Sequence, residues 1–461
     1  MTMNWCLLAG VITLFLSVSS LPYYEDDFSD IQGPYCENIG CCNDRQDSCS
    51  VPILGTLCYC DEFCNHTRVD DCCPDFWYHC KGIPPPTTTT TTTRGPPQPI
   101  VGCEVEGSNR TVFWKEKVIV NCNECICESA GRDKVELLCE TNVCLMDPMI
   151  TETINRNPEK FGWTAANYSE FWGRTLDEGI KLRLGTLPPQ QFVMRMNSVR
   201  RMYDPNALPR EFDSEEIWPG YISGIRDQGW CGSSWALSTA AVASDRYAIV
   251  SKGKEAVELS AQNLISCDTK GQQSCSGGHL DRAWSFTKYY GLVDEECFPY
   301  VGRNEPCTIK RQGSLARAGC RPPKYGDRKS RYTVGPAYRL GNETDIMYEI
   351  TKSGPVQATM KVHHDFFTYN GGIYKHSDLN LNDRHGYHSV RIIGWGEEMT
   401  YNGLQKYWKV ANSWGPNWGE NGYFRIARGT DESEIESFVI ASWPGVDRKI
   451  LLMAEELPNP A

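Results

Sequence analysis

The sequence DQGWCGSSWA occupies Asp227–Ala236 and leads into Ser234–Val250 (SWALSTAAVASDRYAIV), a run of good helix formers with many small residues. Such a run predicts a buried central helix that ends near Lys252-Gly253. Downstream, glycines separate alternating stretches that predict β-strands, at His388–Ile393, Tyr407–Ala411 and Gly422–Ala427. We therefore predict that residues 208–445 form one α+β domain, helical at its start and strand-rich at its end.

Length and charge set outer limits on the protein's class. A chain of 461 residues is long enough for two or more domains with at least one sizeable core. The formal charge of −12 argues against a nucleic-acid or anionic-membrane surface, because those partners select clustered Lys and Arg. The apolar run Leu7–Val18 ends in small residues and predicts a secretory signal peptide over residues 1–20. A membrane anchor is the alternative, but the run is short and no second apolar stretch follows it.

The cysteines also indicate export. There are 23, and the 22 that follow Cys6 form clusters of ten (36–80), six (103–144) and six (231–320). Even counts are typical of an oxidising compartment in which every thiol is bridged. In a secreted chain, N-x-S/T sequences predict surface glycans. They begin at Asn65, Asn109, Asn167 and Asn342.

Small modules precede the large domain. Residues 36–80 hold ten cysteines, too many for an ordinary hydrophobic core, so bridges must stabilise the unit. Their spacing resembles a somatomedin B module, with two cysteines more than that family's usual eight. This implies a protein-binding module, and a spacer without a partner is the alternative. Residues 81–100 are rich in Pro and Thr and predict an extended linker.

The region between the linker and the large domain has two parts. Residues 101–145 contain six cysteines, and the pair Cys122-x2-Cys125 has the spacing of two zinc ligands. We reject a zinc site because the block has no histidine and the compartment favours bridges. The block resembles a von Willebrand C or follistatin-like module. Residues 146–207 resemble the propeptide of cathepsin B-type proteases, which would lie along a cleft and block it if retained. Residues 446–461 form a C-terminal tail.

Six long motifs then show a resemblance that covers residues 208–445. They are LPREFDSEEIWP, IRDQGWCGSSWA, LSAQNLISCD, CSGGHLDRAW, HSVRIIGWG and YWKVANSWGPNWGENGYFRI. In this order they resemble papain-fold cysteine proteases, and the cathepsin B branch most closely. With the amino-terminal modules, the architecture is similar to the tubulointerstitial nephritis antigen family. The resemblance implies a two-lobed, papain-like α+β domain preceded by small disulfide-rich modules.

The same resemblance implies roles for five positions. His388 stands at the family's base, Asn412 at the residue that orients the imidazole, and Gln228 at the oxyanion donor. Trp414 would shield the bond between His388 and Asn412. The nucleophile position, a cysteine in the proteases, is Ser234.

This exchange of sulfur for oxygen predicts that the domain has no useful peptidase activity. A thiol pKa near 8.5 can be lowered by several units at such a site, whereas an aliphatic hydroxyl is far less acidic. A serine nucleophile needs a neutral base within hydrogen-bond reach, in the best-known arrangement supported by a carboxylate. Asn412 cannot supply that charge. The alternative is a working serine variant, because serine–histidine sites with other orienting groups exist.

The resemblance also implies the bridges Cys231–Cys275, Cys267–Cys307 and Cys297–Cys320, which would leave no free thiol in the domain. Pro306–Cys320, which corresponds to the histidine-bearing loop of cathepsin B, contains no histidine. We interpret His363-His364 as exposed side chains rather than a ligand pair.

Two positions keep alternative interpretations. Phe438 replaces an acid at the floor of cathepsin B's specificity pocket, and either lines a pocket or packs in the core. His385 competes with His388 for the role of base, and we prefer His388 because it directly enters the predicted strand.

Three functions remain open on this basis. The first is a secreted extracellular-matrix glycoprotein with a non-catalytic domain, for which the resemblance implies laminin, type IV collagen, fibronectin and integrins as partners. The second is an active extracellular peptidase that uses Ser234, and the third is a carrier or modulator of secreted signalling proteins. No cofactor or metal is expected, because the sequence has no calcium or zinc motif.

Overall fold

The structure is a computed structural model of the chain, divided into two compact units, residues 1–99 and 100–461. It describes residues 34–44, 46, 48–53, 56–65, 72–82, 102–105, 110–131, 134–196, 198, 204, 207–309, 315, 320, 331–379 and 384–446. The predicted signal peptide, the linker beyond residue 82, Asn109, the side chain of Asn65 and the tail beyond residue 446 lie outside this description.

The amino-terminal unit is stabilised by sulfur rather than by a conventional core. Its elements are helix α1 (Tyr35–Ile39), strands β1 (Ser50–Ile53) and β2 (Thr56–Tyr59), and helix α2 (Phe76–His79). Five bridges close it: Cys36–Cys60, Cys41–Cys80, Cys42–Cys49, Cys58–Cys73 and Cys64–Cys72. Six of the eight residues in its buried cluster are cysteines, joined by Ile53 and Phe76. A core this small depends on its bridges.

The second unit begins with a small β module. Its strands are β3 (Gly102–Glu104), β4 (Thr111–Phe113), β5 (Lys117–Val120), β6 (Asn123–Gly131) and β7 (Lys134–Cys139). Strands β3 and β4 form a hairpin, and β5–β6–β7 form an antiparallel sheet. Its bridges are Cys103–Cys127, Cys122–Cys144 and Cys125–Cys139. The Cys122-x2-Cys125 pair therefore lies in two bridges and offers no thiolate to zinc.

The propeptide-like segment continues into the large domain. Its elements are α3 (Pro148–Arg156), α4 (Pro158–Phe161), β8 (Trp163–Ala165), α5 (Leu176–Gly179), a π-helical turn (Ile180–Leu184) and α6 (Gln191–Met194). Asp147 caps α3 by accepting a hydrogen bond from the Met149 N–H. Thr175 and Glu178 form a capping box at α5. Strand β8 pairs with a strand of the large domain, so the segment is part of that domain's sheet.

The large domain has the predicted mixture of helices and strands. Its helices are α7 (Ser214–Ile217), α8 (Ser234–Val250), α9 (Ala261–Cys267), α10 (Leu280–Tyr290) and α11 (Glu343–Ser353). Its strands are β9 (Phe212–Asp213), β10 (Tyr338–Leu340), β11 (Val356–His363), β12 (Tyr369–Tyr374), β13 (His385–Thr400), β14 (Gly403–Ala411), β15 (Tyr423–Ala427) and β16 (Phe438–Ala441). The sheet order is β10-β16-β11-β13-β14-β15-β12-β8, with β9 on β13.

Two hydrophobic clusters divide this domain into lobes. One contains α8 and its neighbours α9 and α10, and the other packs on the sheet. Helix α8 is buried along most of its length and begins at Ser234, as the sequence predicts. Strand β13 and the loop that follows β14 carry the residues that face its amino terminus, so the cleft lies between the lobes. The predicted papain-like α+β class is confirmed.

Candidate active-site cleft

Ser234 is held at the first position of α8, fully buried. The loop before it is fixed by the Cys231–Cys275 bridge and by the Gly232 N–H, which donates to the Cys275 carbonyl at 2.8 Å. A Cβ at Gly232 would lie 2.6 Å from that carbonyl and 2.7 Å from the Lys181 carbonyl, so only glycine fits here. The nucleophile position is therefore rigid and tightly packed.

His388 and Asn412 form the pair that the resemblance implies. His388 Nε2 lies 2.7 Å from Asn412 Oδ1, and both residues are buried. The Trp414 ring lies 5.1 Å from the His388 ring and stacks on Phe367 at 5.0 Å. Trp414 therefore covers the pair, whose orientation is set before any ligand arrives.

Ser234 Oγ has partners other than the imidazole. Thr186 Oγ1 lies 3.0 Å from it, and the Ser389 N–H donates to it at 3.2 Å. Thr186 Oγ1 also lies 2.6 Å from Ser389 Oγ. Across the described residues, no hydrogen bond joins Ser234 to His388, and His388 Nδ1 has no partner of ordinary geometry. The hydroxyl is thus bonded to the propeptide-like segment rather than to the base.

Residues 184–187 fill the cleft between the lobes. The Thr186 N–H donates to the Tyr387 carbonyl on the sheet lobe at 3.1 Å. The Leu187 N–H donates to the Gly278 carbonyl on the helical lobe at 2.9 Å, and the Gly278 N–H donates to Gly185 at 3.0 Å. The predicted position of the segment along the cleft therefore matches the structure. While it stays there, an extended ligand cannot reach Ser234.

Gln228, the oxyanion donor of the resemblance, is engaged by the same segment. Its Nε2 donates to the Leu184 carbonyl at 3.1 Å and to the Cys231 carbonyl at 2.9 Å. Its Oε1 accepts from Ser413 Oγ at 2.7 Å. A peptide carbonyl of the chain itself therefore occupies the donor that would stabilise an oxyanion.

Arg183 anchors the segment at one end of the cleft. It is 1% exposed and pairs with Asp227 at 3.1 Å and with Glu170 at 3.2 Å. Its guanidinium also lies 4.9 Å from the centre of the Phe171 ring. Because Asp227 belongs to the DQGWCGSSWA stretch, this ion pair ties the segment to the loop that carries the nucleophile position.

The environment of His388 keeps the imidazole neutral. Burial, together with the positive charge of Arg183, lowers the pKa of His388 to about 4. The hydrogen bond to Asn412 and the nearby Leu184 backbone raise the pKa of His388, but only part of the lowering is offset. The site therefore holds no imidazolium at neutral pH. A neutral imidazole could act as a base for serine, but it is not hydrogen-bonded to Ser234.

The other candidate residues have mixed outcomes. Phe438 is buried in the helical lobe's cluster, which also contains Val193 of the segment. His385 pairs with His363 across β13 and β11, and the site's bond to Asn412 is made by His388. The interpretation of His363-His364 as exposed is wrong: His364 is buried with Nε2 at 3.0 Å from the Leu145 carbonyl, and His363 is half-buried with its ring stacked on His376 at 3.8 Å. Leu145, the last residue before the propeptide-like segment, covers the His364 side chain, a contact that local sequence does not predict.

The implied bridges and two glycan sites can be located. The structure joins Cys231 to Cys275, Cys267 to Cys307 and Cys297 to Cys320. Asn167 and Asn342 are exposed, and Asn342 also caps α11 by accepting from the Asp345 N–H at 2.8 Å. Its amide nitrogen, the atom that carries an N-linked glycan, is not the capping atom.

Sequence reasoning missed Thr186, Ser389 and Arg183. Arg183 and Thr186 both lie in the short stretch LRLGT, Leu182–Thr186, of the propeptide-like segment. Their partners across the cleft, Asp227, Ser234 and Ser389, lie 44 or more residues from Arg183 and Thr186. Only the folded cleft brings them together.

The residues that the structure describes contain neither a metal-ligand cluster with free ligand atoms nor a membrane-spanning helix. Ligand atoms of His, Cys, Asp and Glu converge closely in one group, Cys36, Cys60 and Cys73, whose sulfurs are all in disulfides. In the same part of the chain, none of the helices is both long and apolar enough to cross a membrane.

Comparison with known proteins gives consistent matches. Residues 208–443 match the papain family cysteine proteases. The chain is 46% identical to human tubulointerstitial nephritis antigen-like over 90% of this chain and 89% of that protein. It is 42% identical to bovine tubulointerstitial nephritis antigen over 89% of this chain and 87% of that protein. Procathepsin B S9 from Trypanosoma congolense superposes with a TM-score of 0.55 at 31% identity, over 66% of this chain and 99% of that structure.

Proposed function

Because the chain belongs to the papain family and to the tubulointerstitial nephritis antigen family within it, we propose that it is a secreted, non-catalytic glycoprotein of the extracellular matrix. In this proposal the papain-like domain is a binding body, and the cysteine-rich modules take part in adhesion. Laminin, type IV collagen, fibronectin and integrins are the proposed partners.

The observation that carries the non-catalytic part is the bonding of Ser234. Its hydroxyl contacts Thr186 and the Ser389 N–H rather than His388. An attacking serine must pass its proton to a base within hydrogen-bond reach. Asn412, the partner of His388, is neutral and cannot stabilise an imidazolium as a buried carboxylate does. Both proton transfer and charge stabilisation are therefore deficient.

The filled cleft supports the same conclusion and disfavours the carrier alternative. Residues 184–187 use hydrogen-bonding groups of both lobes, so a ligand groove would first have to expel them. We therefore expect partner proteins to bind surfaces outside the cleft. Export is supported by the pairing of all 22 cysteines after Cys6 into eleven disulfides.

A three-variant assay tests the proposal. The full chain, Ser234→Ala and Ser234→Cys are offered cathepsin-type peptide substrates, before and after proteolytic opening of the 146–207 segment. We expect wild type to equal Ser234→Ala under both conditions, and Ser234→Cys to gain turnover once the segment is opened. Wild-type turnover close to that of Ser234→Cys and absent from Ser234→Ala would favour the serine peptidase.

The adhesive part has its own readout. The full chain is applied to immobilised laminin, type IV collagen and fibronectin, with serum albumin as the control surface. Binding to at least one matrix protein above albumin is expected, with equal binding by Ser234→Ala. Equal retention on all surfaces would refute the adhesive role without affecting the enzymatic result.

A further inference from the structure

The β module at residues 102–139 has one sheet face that the described residues leave uncovered. Side chains alternate between the faces of a strand. On one face, Val118, Cys125 and Cys127 are buried against the module's own core. The other face, here termed the acidic sheet face, is formed by Lys117, Ile119, Glu124, Ile126, Glu128, Glu136, Leu138 and Glu140.

Apolar side chains on the acidic sheet face are open to solvent. Ile119 is 74% exposed and Leu138 is 46% exposed. Ile126 is half-buried and lies opposite both Lys117 and Leu138 in the sheet register. A single exposed apolar residue needs no explanation. Neighbouring ones on a flat sheet indicate a surface that another chain can cover.

Negative charge surrounds these apolar groups. Among the side chains that the structure describes, the face has four glutamates and one lysine, and Lys117 pairs with Glu124 at 2.6 Å; Lys134, two residues before Glu136 on β7, adds a second lysine to the face by strand alternation. Glu128 and Glu136 lie directly opposite each other on adjacent strands, an arrangement that destabilises an antiparallel pair. Among the side chains the structure describes, no cation lies within ion-pair distance of Glu128, Glu136 or Glu140. The unfavourable pair would become favourable if a partner supplied the cation.

The dimensions of the face restrict the partner's size. Three strands span roughly 10 Å, and the rows from Glu124 to Glu128 span roughly 13 Å along the strand. A stable interface between folded domains buries roughly 800 Å² on each side, far more than this face provides. One extended segment of a few residues fits it.

We propose that the acidic sheet face binds an extended, basic segment of a partner protein, in which Lys or Arg and apolar residues succeed one another at every second position, so that both kinds of side chain point to the same side. The apolar side chains would cover Ile119, Ile126 and Leu138. The cations would pair with Glu128, Glu136 and Glu140. The proposal is independent of whether Ser234 attacks peptides.

The probe is an acetylated, amidated and fluorescently labelled peptide of sequence KSLSKSLSK, whose Lys and Leu residues share one side when it is extended, with ESLSESLSE as its charge-reversed control. Anisotropy titration of the full chain should show binding of the basic peptide alone, weakening as salt is raised. The isosteric double variant E128Q/E136Q should bind at least about tenfold more weakly, since two charge-assisted contacts are lost. Leu138→Ser should weaken binding while keeping the salt dependence.

Matched controls separate a binding defect from misfolding. The double variant E152Q/E216Q removes two exposed glutamates elsewhere in the chain and should bind as wild type does. E128Q/E136Q should unfold at the same or higher temperature than wild type, because it removes a like-charge pair.

Three outcomes would overturn the proposal. The first is failure of wild type to bind KSLSKSLSK, and the second is equal binding by wild type and E128Q/E136Q. The third is stabilisation by Ca²⁺ alone that E128Q/E136Q abolishes, which would make the carboxylates a cation site. None of these outcomes bears on the turnover assay for Ser234.

Discussion

The two sides of the cleft differ in how far they retain a protease arrangement. On the base side, His388, Asn412 and Trp414 form the pair and its cover with a 2.7 Å hydrogen bond. On the nucleophile side, Ser234 is bonded to Thr186 of the chain's own propeptide-like segment.

The difference shows that the two sides depend on separate properties: the base side on core packing, and the nucleophile side on the chemistry of one atom. Trp414 belongs to the sheet lobe's hydrophobic core, so the base side keeps its shape whether or not catalysis occurs. The nucleophile side of a papain-fold protease requires a sulfur atom at one position. The oxygen that Ser234 carries there can instead serve as a hydrogen-bond partner. An intact base is therefore weak evidence for activity.

The largest expected effect is on the base side. Trp414→Ala removes a buried indole that stacks on Phe367 and donates from Nε1 to the Arg183 carbonyl at 2.6 Å. We expect a loss of about 3–5 kcal/mol in the free energy of unfolding, measured by denaturant titration. Trp172→Ala, where the indole is 48% exposed, should cost less than about 1 kcal/mol. Equal losses would show that the base side is not a core element.

The neutral His388 predicts a pH dependence of stability. Its folded pKa of about 4 lies below the ordinary value of 6.5, so the unfolded chain binds the proton first. His388 therefore stabilises the fold above pH 6.5, and this contribution of about 3 kcal/mol falls away between pH 6.5 and pH 4.

Denaturant titrations across that pH range measure the contribution. The slope should be reduced in His388→Gln, which cannot become charged. An unchanged slope in the variant would show that His388 titrates normally in the fold, contrary to the burial seen at the base.

The next prediction concerns Arg183, which anchors the propeptide-like segment in the cleft. Arg183→Met keeps a long apolar side chain but loses the ion pairs with Asp227 and Glu170. Because both acids remain partly exposed, we expect a moderate loss of about 2 kcal/mol. Limited proteolysis at residues 184–187 should also become faster. Arg174→Met, at an exposed pair with Glu178, is the matched control, and equal proteolysis of the two variants would contradict the anchoring role.

The smallest expected effect concerns a single hydroxyl. Thr186→Val keeps the side chain's shape but removes the group that contacts Ser234 and Ser389. A loss of about 1 kcal/mol is expected in the denaturant titration, with faster hydrogen exchange at the Thr186 position. Thr164→Val, at an exposed site, should change neither quantity. No effect at position 186 would mean that the hydroxyl contacts are incidental.

The sequence predicted what local pattern and long motifs encode. Helix α8 matches Ser234–Val250, and the strand carrying His388 begins close to the predicted position. The motif resemblance identified Gln228 and Asn412, and the structure brings both to the cleft. These residues lie in continuous stretches of sequence, so their spacing can be recognised from the sequence alone.

Contacts between distant stretches were not predictable in the same way. Thr186 meets Ser389 across 203 residues, and nothing in either local sequence specifies the other. His364 was expected to be exposed because its neighbours give no sign that Leu145 covers it. Phe438 could pack or line a pocket, and only the folded cluster places it beside the helical core.

Covalent labelling of Ser234 tests the central claim most directly. Wild type, Ser234→Ala and Ser234→Cys, each with its 146–207 segment opened by proteolysis, are incubated with a peptide substrate, quenched in acid, and analysed by intact-mass and peptide-mapping spectrometry. We predict an acyl adduct on the cysteine variant and none on the wild-type hydroxyl. An acyl group on wild-type Ser234, absent from Ser234→Ala, would contradict the account.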